Sequence, residues 1–133
     1  MNVVDSSGWL EYFAEGPNAD FFAPAIEARK ELIVPVITIY EVFKRVLHQK
    51  GEDDALYAIA RMLQGKVIDL DTTLALQAAK ISVDLGLPMA DSIILATARA
   101  HQAVVWTQDE HFKDMEDVQY MERTVPHGGR SGE

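Results

Sequence analysis

Short apolar runs, mostly β-branched, alternate along this chain with stretches of helical spacing, and that alternation constrains the fold more than any other feature. Strands that recur only after a helix cannot pair as hairpins. They are joined instead by right-handed crossovers, which build a mostly parallel sheet with helices on both faces. The runs are Met1–Val4, Leu32–Ile37, Lys66–Leu70 and Ala103–Thr107, and Val118–Met121 fits a fifth strand. Pro35 lacks the N–H of a ladder residue, so it belongs at a strand end or on a free edge.

The segments between the runs carry helix signals. Ser6 and Ser7 offer capping hydroxyls to a helix bearing Trp9, Leu10, Tyr12 and Phe13, which Gly16-Pro17 ends. A second helix fits Ala19–Arg29. A third runs from Ile37 or Thr38 to Lys50, with Tyr40, Phe43, Val46 and Leu47 on its inner face, and Gly51 stops it. Asp53–Leu63 follows, with Leu56, Ile59, Ala60 and Leu63 expected inside. Asp71 and Thr72 open a helix closed by Gly86 and Pro88. Ala90–His101 carries charge only at Asp91 and Arg99, the composition of a helix buried against the sheet. Asp109–Lys113 reads as a helical turn. The 133 residues suit one domain over 1–124, and the Gly/Ser-rich end, 125–133, is expected to be a flexible tail.

Four carboxylates stand out against this scaffold. Asp5 and Asp109 follow the first and fourth runs, Asp91 starts the apolar helix, and Glu41 lies one turn into the helix after the second run. In a parallel α/β sheet these positions converge outside the carboxyl ends of the strands, at the switch point. Taken singly, each has a plainer explanation. Asp5, Asp91 and Asp109 can cap helices or face their dipoles, and Glu41 precedes Arg45 by four residues as in a helix ion pair. Taken together, four like charges require a cation, and a divalent metal is the simplest. Hard oxygen donors suit Mg²⁺ or Mn²⁺, one or two ions, which can activate water for in-line attack on phosphorus.

Composition narrows the alternatives. No cysteine is present, so any metal is held by oxygen or imidazole. The start lacks the pattern of a signal peptide and no apolar run spans a bilayer, so a cytoplasmic protein without a membrane partner is expected. The formal charge of −9 argues against tight general binding to nucleic acid and for a basic protein partner. Lys44, Arg45, His48 and Lys50 form the densest basic stretch. Lys44 and Arg45 are the candidate RNA contacts, against the plain reading of a solvated face.

The segments VVDSSGWLEYF, VPVITIYEVFKRV and LPMADSIILATARAHQAVVWTQDEHF together resemble the PIN-domain ribonucleases, and among them the VapC-type toxins of type II toxin–antitoxin pairs. The resemblance covers nearly the whole chain. It implies a PIN-like three-layer α/β/α sandwich around a mostly parallel sheet of four or five strands. It further implies that Asp5, Glu41, Asp91 and Asp109 are the metal-binding catalytic acids of an endoribonuclease, with Ser6 and Thr107 as supporting hydroxyls. Structured RNA, tRNA included, is the implied substrate class. A cognate VapB-type antitoxin is the implied partner, its basic segment wrapping the toxin, with a homodimer and a larger antitoxin-bound assembly. Tyr12, Phe13, Phe21 and Phe22 are then groove candidates as well as core candidates.

Two departures from the family pattern stand out. Gln108 occupies a position that is often basic, which weakens the expected phosphate contact, and His111 replaces a further acid and reads as a surface or turn residue. One rival is a PIN-like module that binds RNA or protein without significant cleavage. Another, a haloacid-dehalogenase-like phosphatase, needs a second aspartate two residues after its nucleophile, where Asp5 is followed by Ser6 and Ser7.

Overall fold

A computed structural model describes residues 1–124; the expected tail at 125–133 lies outside the described residues. The elements are β1 (Asn2–Val4), α1 (Ser6–Phe13), α2 (Ala19–Glu27), β2 (Leu32–Pro35), α3 (Val36–Lys50), α4 (Glu52–Met62), β3 (Lys66–Ile68), α5 (Thr72–Leu85), α6 (Met89–Ala100), β4 (Val104–Thr107) and β5 (Val118–Tyr120), with 3₁₀ turns at Arg29–Glu31 and Glu110–Phe112. The five strands form one sheet in the order β3-β2-β1-β4-β5, and every pairing is parallel. The chain winds outward from β1 to β3, then returns to lay β4 on the other side of β1. The switch point therefore falls between β1 and β4, where Asp5 and Thr107 end their strands.

Alternation along the strands divides the core into the two halves of a three-layer sandwich. Val4, Leu32 and Val34 face one way, against Trp9, Phe22, Val42 and Met62 from α1 to α4. Val3, Ile33 and Val105 face the other, against Leu87, Ile94 and Leu95, with Phe112 sealing the edge. Residues Ser92–Ala98 of α6 are all buried, as its near absence of charge implies. Pro35 ends β2 and serves as N-cap of α3, so its missing N–H falls where the ladder has stopped. Val36 and Ile37, expected in the strand, are the first turn of that helix.

Two helix faces differ from expectation. On α4 the buried side chains are Ala55, Ala58 and Met62, while Leu56 and Leu63 are 54% and 56% exposed. The buried stripe is rotated by one residue, roughly 100°, because alanines let α4 pack closely on its neighbours. On α3 the buried residues are Thr38 and Val42, and Tyr40 and Leu47 turn outward. Phe22 is fully buried, as is Trp9, which removes Phe22 from the groove candidates. Gly8 explains the tight seat of α1: a Cβ there would stand 2.6 Å from Phe22 Cε1 and 2.7 Å from Val4 Cγ1. Among the described residues no single helix is long and apolar enough to cross a membrane.

Candidate active site at the sheet switch point

Asp5 is the hub. It is 3% exposed, ends β1, and caps α1 by accepting the Gly8 N–H at 2.9 Å. Ser7 Oγ donates to the same carboxylate at 2.9 and 3.0 Å, and Thr107 Oγ1 donates to Oδ2 at 2.6 Å from the end of β4. Thr107 Oγ1 in turn accepts the Asp109 N–H at 2.8 Å, so one hydroxyl couples the two aspartates across the switch point. Burial pushes the Asp5 carboxyl up to about 6; the Thr107, Gly8 and Ser7 hydrogen bonds only partly offset it. Capping is therefore a real duty of Asp5, but it does not explain a carboxylate kept dry beside other acids.

The remaining acids surround this hub. Glu41 accepts a hydrogen bond from Ser6 Oγ, which fixes it over the start of α1. It forms no ion pair with Arg45 among the described residues, so the helix-pair explanation is removed. Asp109 caps the 3₁₀ turn through the His111 N–H at 3.0 Å. Asp91 lies in the first turn of α6 without capping it. Its carboxyl is held above the usual range first by burial and then by the charge of Asp109, with Glu41 adding to the effect. The four acids share one open cleft of about 1050 Å³.

His111 differs from the sequence expectation of a bland turn residue. Its Nδ1 lies 2.8 Å from Asp91 Oδ2 and 3.2 Å from Asp109 Oδ1. Those contacts raise the imidazole pKa, the Asp91 hydrogen bond foremost. Donor atoms of Asp91, Asp109 and His111 all lie within 4.8 Å of one another, close enough to share one ion. Asp5 and Glu41 stand outside that trio with their oxygens engaged by Thr107, Ser7, Gly8 and Ser6. The donor set is carboxylate oxygen plus imidazole, which fits Mg²⁺ and fits Mn²⁺ better.

Gln108 is buried, 3% exposed, and accepts from Asn18 Nδ2 at 2.9 Å. Asn18 further binds the Glu122 carbonyl at 3.0 Å, while its own N–H donates to Glu11 Oε2 at 2.7 Å. A buried polar bracket thus ties the loop between Thr107 and Asp109 to the α1–α2 connection and the chain after β5. Sequence reasoning missed Ser7 as an Asp5 partner, and missed Asn18 and Glu11 entirely. A hydroxyl two residues after a strand-end aspartate is the signal that could have found Ser7. Lys44 and Arg45 line the cleft, joined by Lys50 and Arg123.

Comparison with known proteins agrees with this fold. The PIN domain family pattern matches residues 3–118. A toxin–antitoxin complex from Klebsiella pneumoniae contains a similar chain, with TM-score 0.74 and 21% identity over 90% of this chain and 96% of that one. VapC20 of Mycobacterium tuberculosis, described as a sarcin-ricin loop cleaving toxin, gives 0.71 and 18% over 87% and 95%. DNA-bound VapBC from Salmonella typhimurium gives 0.69 and 15% over 92% and 97%. Among curated proteins, no sequence matches.

Proposed function

Because the chain belongs to the PIN domain family, a family of nucleases, we propose that it is a metal-dependent endoribonuclease and the toxin of a toxin–antitoxin pair, acting in the cytoplasm. The observation that carries this reading is the convergence of Asp5, Glu41, Asp91 and Asp109 on one cleft, with His111 as the single counter-group among the described residues. Intact acids in a cleft rimmed by lysine and arginine favour cleavage over a module that binds without turnover.

In this reading each residue has a stated part. Asp5 is held at Oδ1 by Ser7 and at Oδ2 by Thr107, so its carboxylate keeps one orientation without reorganising during reaction. Glu41 is fixed by Ser6 in the same way. Asp91 and Asp109 present the more accessible oxygens, and His111 Nδ1, 2.8 Å from Asp91 Oδ2, steadies that side chain. Lys44 and Arg45 bind backbone phosphates of the RNA on the α3 side. One or two Mg²⁺ or Mn²⁺ ions, when bound to these acids, would supply the positive charge needed for in-line hydrolysis of a phosphodiester.

The substrate class is structured RNA, tRNA included; the description of the similar Mycobacterium tuberculosis protein as a sarcin-ricin loop cleaving toxin supports it. A cognate VapB-type antitoxin is supported by the toxin–antitoxin complexes among similar structures and by the formal charge of −9, which suits a basic segment. A toxin homodimer, and a larger assembly with antitoxin, complete the proposal.

The test is cleavage of a total-RNA and tRNA pool by antitoxin-free protein in EDTA, Mg²⁺ or Mn²⁺, with folded Asp91→Asn protein alongside. Discrete metal-dependent cuts that vanish in Asp91→Asn are expected. Metal binding without any cutting would move the reading to the binding module.

A further inference from the structure

Tyr40 immediately precedes Glu41, yet its ring is 60% exposed instead of packed under α3. It lines the same cleft as the four acids, and Lys44, one turn on, places Nζ 5.7 Å from the ring centroid. Tyr57 of α4, 62% exposed, lines the cleft too. Isolated exposed apolar side chains need no explanation. The selection here does. The two most exposed large side chains of α3 and α4, Tyr40 and Tyr57, both line the cleft, and Tyr40 stands between an acid at Glu41 and a cation at Lys44. A flat ring beside a cation and a cluster of acids matches the chemistry of a nucleotide, whose base stacks while its phosphate meets the ammonium.

We propose that Tyr40 and Lys44 form a nucleobase subsite beside the acids, so that the RNA enters as an unpaired segment with one base turned out onto the Tyr40 ring. The inference rests on the endoribonuclease reading and narrows its substrate class. A base inside a duplex has both faces covered by its neighbours and cannot stack on a protein ring without being extruded. Unpaired loops and ends offer free faces at no such cost. Stacking is a contact of the ring face, and Lys44 Nζ, 5.7 Å from the centroid, stands against that ring from one side.

The experiment is fluorescence anisotropy in Mn²⁺, with the full chain carrying Asp91→Asn to prevent turnover. The probes are an end-labelled 12-nucleotide oligoadenylate RNA and a 12-base-pair RNA duplex, and circular dichroism verifies folding. Adding Tyr40→Ala is expected to weaken single-strand binding about 10-fold, with Tyr40→Phe within about 2-fold of the parent and duplex binding unaffected. Equal loss on both probes, or no loss on the single strand, overturns the subsite while leaving the nuclease reading intact. A change of oligomeric state on sedimentation, with single-strand affinity unaltered, assigns Tyr40 to a protein contact and likewise overturns it. Failure of every variant to bind either RNA removes the subsite and the ribonuclease reading together.

Discussion

Replacing Asp5 with asparagine changes stability in opposite directions at low and at neutral pH, with the crossover at about pH 4.5. The Asp5 carboxyl is buried and its pKa rises from 3.8 to about 6 in the folded protein. The native state therefore binds the proton more tightly than the unfolded chain does. Between about pH 4 and pH 6 the folded protein holds more protons, so this group's stability contribution falls as pH rises and levels off above the folded pKa. The full gap is worth about 3 kcal/mol. Asparagine carries no charge to desolvate, and its Oδ1 still accepts the Gly8 N–H. Its amide cannot accept from Thr107, whose hydroxyl then loses its acceptor at a cost of about 1 kcal/mol. Asp5→Asn should thus be about 1 kcal/mol less stable than the parent at pH 3 and about 2 kcal/mol more stable at pH 7.5. Urea denaturation in EDTA at the two pH values measures both, through shifts of the midpoint on the order of 1 M. Repeating the pH 7.5 titration with Mn²⁺ should stabilise the parent more than the variant, because an ion supplies the charge that the buried carboxylate lacks. A variant less stable at both pH values would refute the claim that Asp5 is held at a desolvation cost.

Three further outcomes follow from single contacts. Gly8→Ala drives a methyl into Phe22 and Val4, and thermal unfolding should show a loss of about 1–3 kcal/mol; an unchanged Tm would mean that α1 can shift outward freely. Gln108→Ala leaves Asn18 Nδ2 short of a partner in a buried bracket, so kcat should drop while KM for RNA stays within about 2-fold, and Gln108→Glu should not recover the rate, because it sets a buried carboxylate against Glu11 Oε1. A rise in KM alone would point to direct RNA contact. His111→Ala should weaken Mn²⁺ binding by about 10-fold or more in calorimetry, because it removes the imidazole closest to Asp91 and Asp109; identical affinity would exclude His111 from the ion's surroundings.

The parts of the fold written as alternation or punctuation were legible in the sequence. The parallel sheet came from the runs themselves, Pro35 marked the end of β2, and Asp71 and Gly86 bounded α5 as a side-chain cap and a left-handed terminus. Helix rotation was not legible. Leu56 and Leu63 look like core by hydrophobicity, yet Ala55 and Ala58 occupy the buried stripe, because close approach between helices rewards small volume as much as apolar area. The same effect hid Tyr40, whose exposure appears only once Thr38 and Val42 are seen to fill the α3 contact. Within the candidate site, topology explains why Asp5, Asp91 and Asp109 share an edge. It does not encode His111, whose approach to Asp91 depends on the turn that Asp109 caps. Nor does it encode the Asn18–Gln108 pair, which joins positions 90 residues apart.

The charge of this chain is best understood by position. A formal charge of −9 looks unsuited to gripping RNA, yet four of the twelve lysines and arginines, Lys44, Lys50, Arg45 and Arg123, line the one cleft that holds the acids. At physiological ionic strength charges are screened beyond about 8 Å, so a phosphate within the cleft responds to those neighbours and to any bound metal, not to the distant acidic surface. The distant surface acts during approach, where it slows encounter with RNA and favours a cationic polypeptide. One charge distribution can therefore serve both proposed partners. Catalysis depends on a local balance that metal completes, and inhibition by a basic segment exploits the overall excess of negative charge. Asp5 links the two, since a buried carboxylate favours a cation from either source and gains most when that cation arrives without its water.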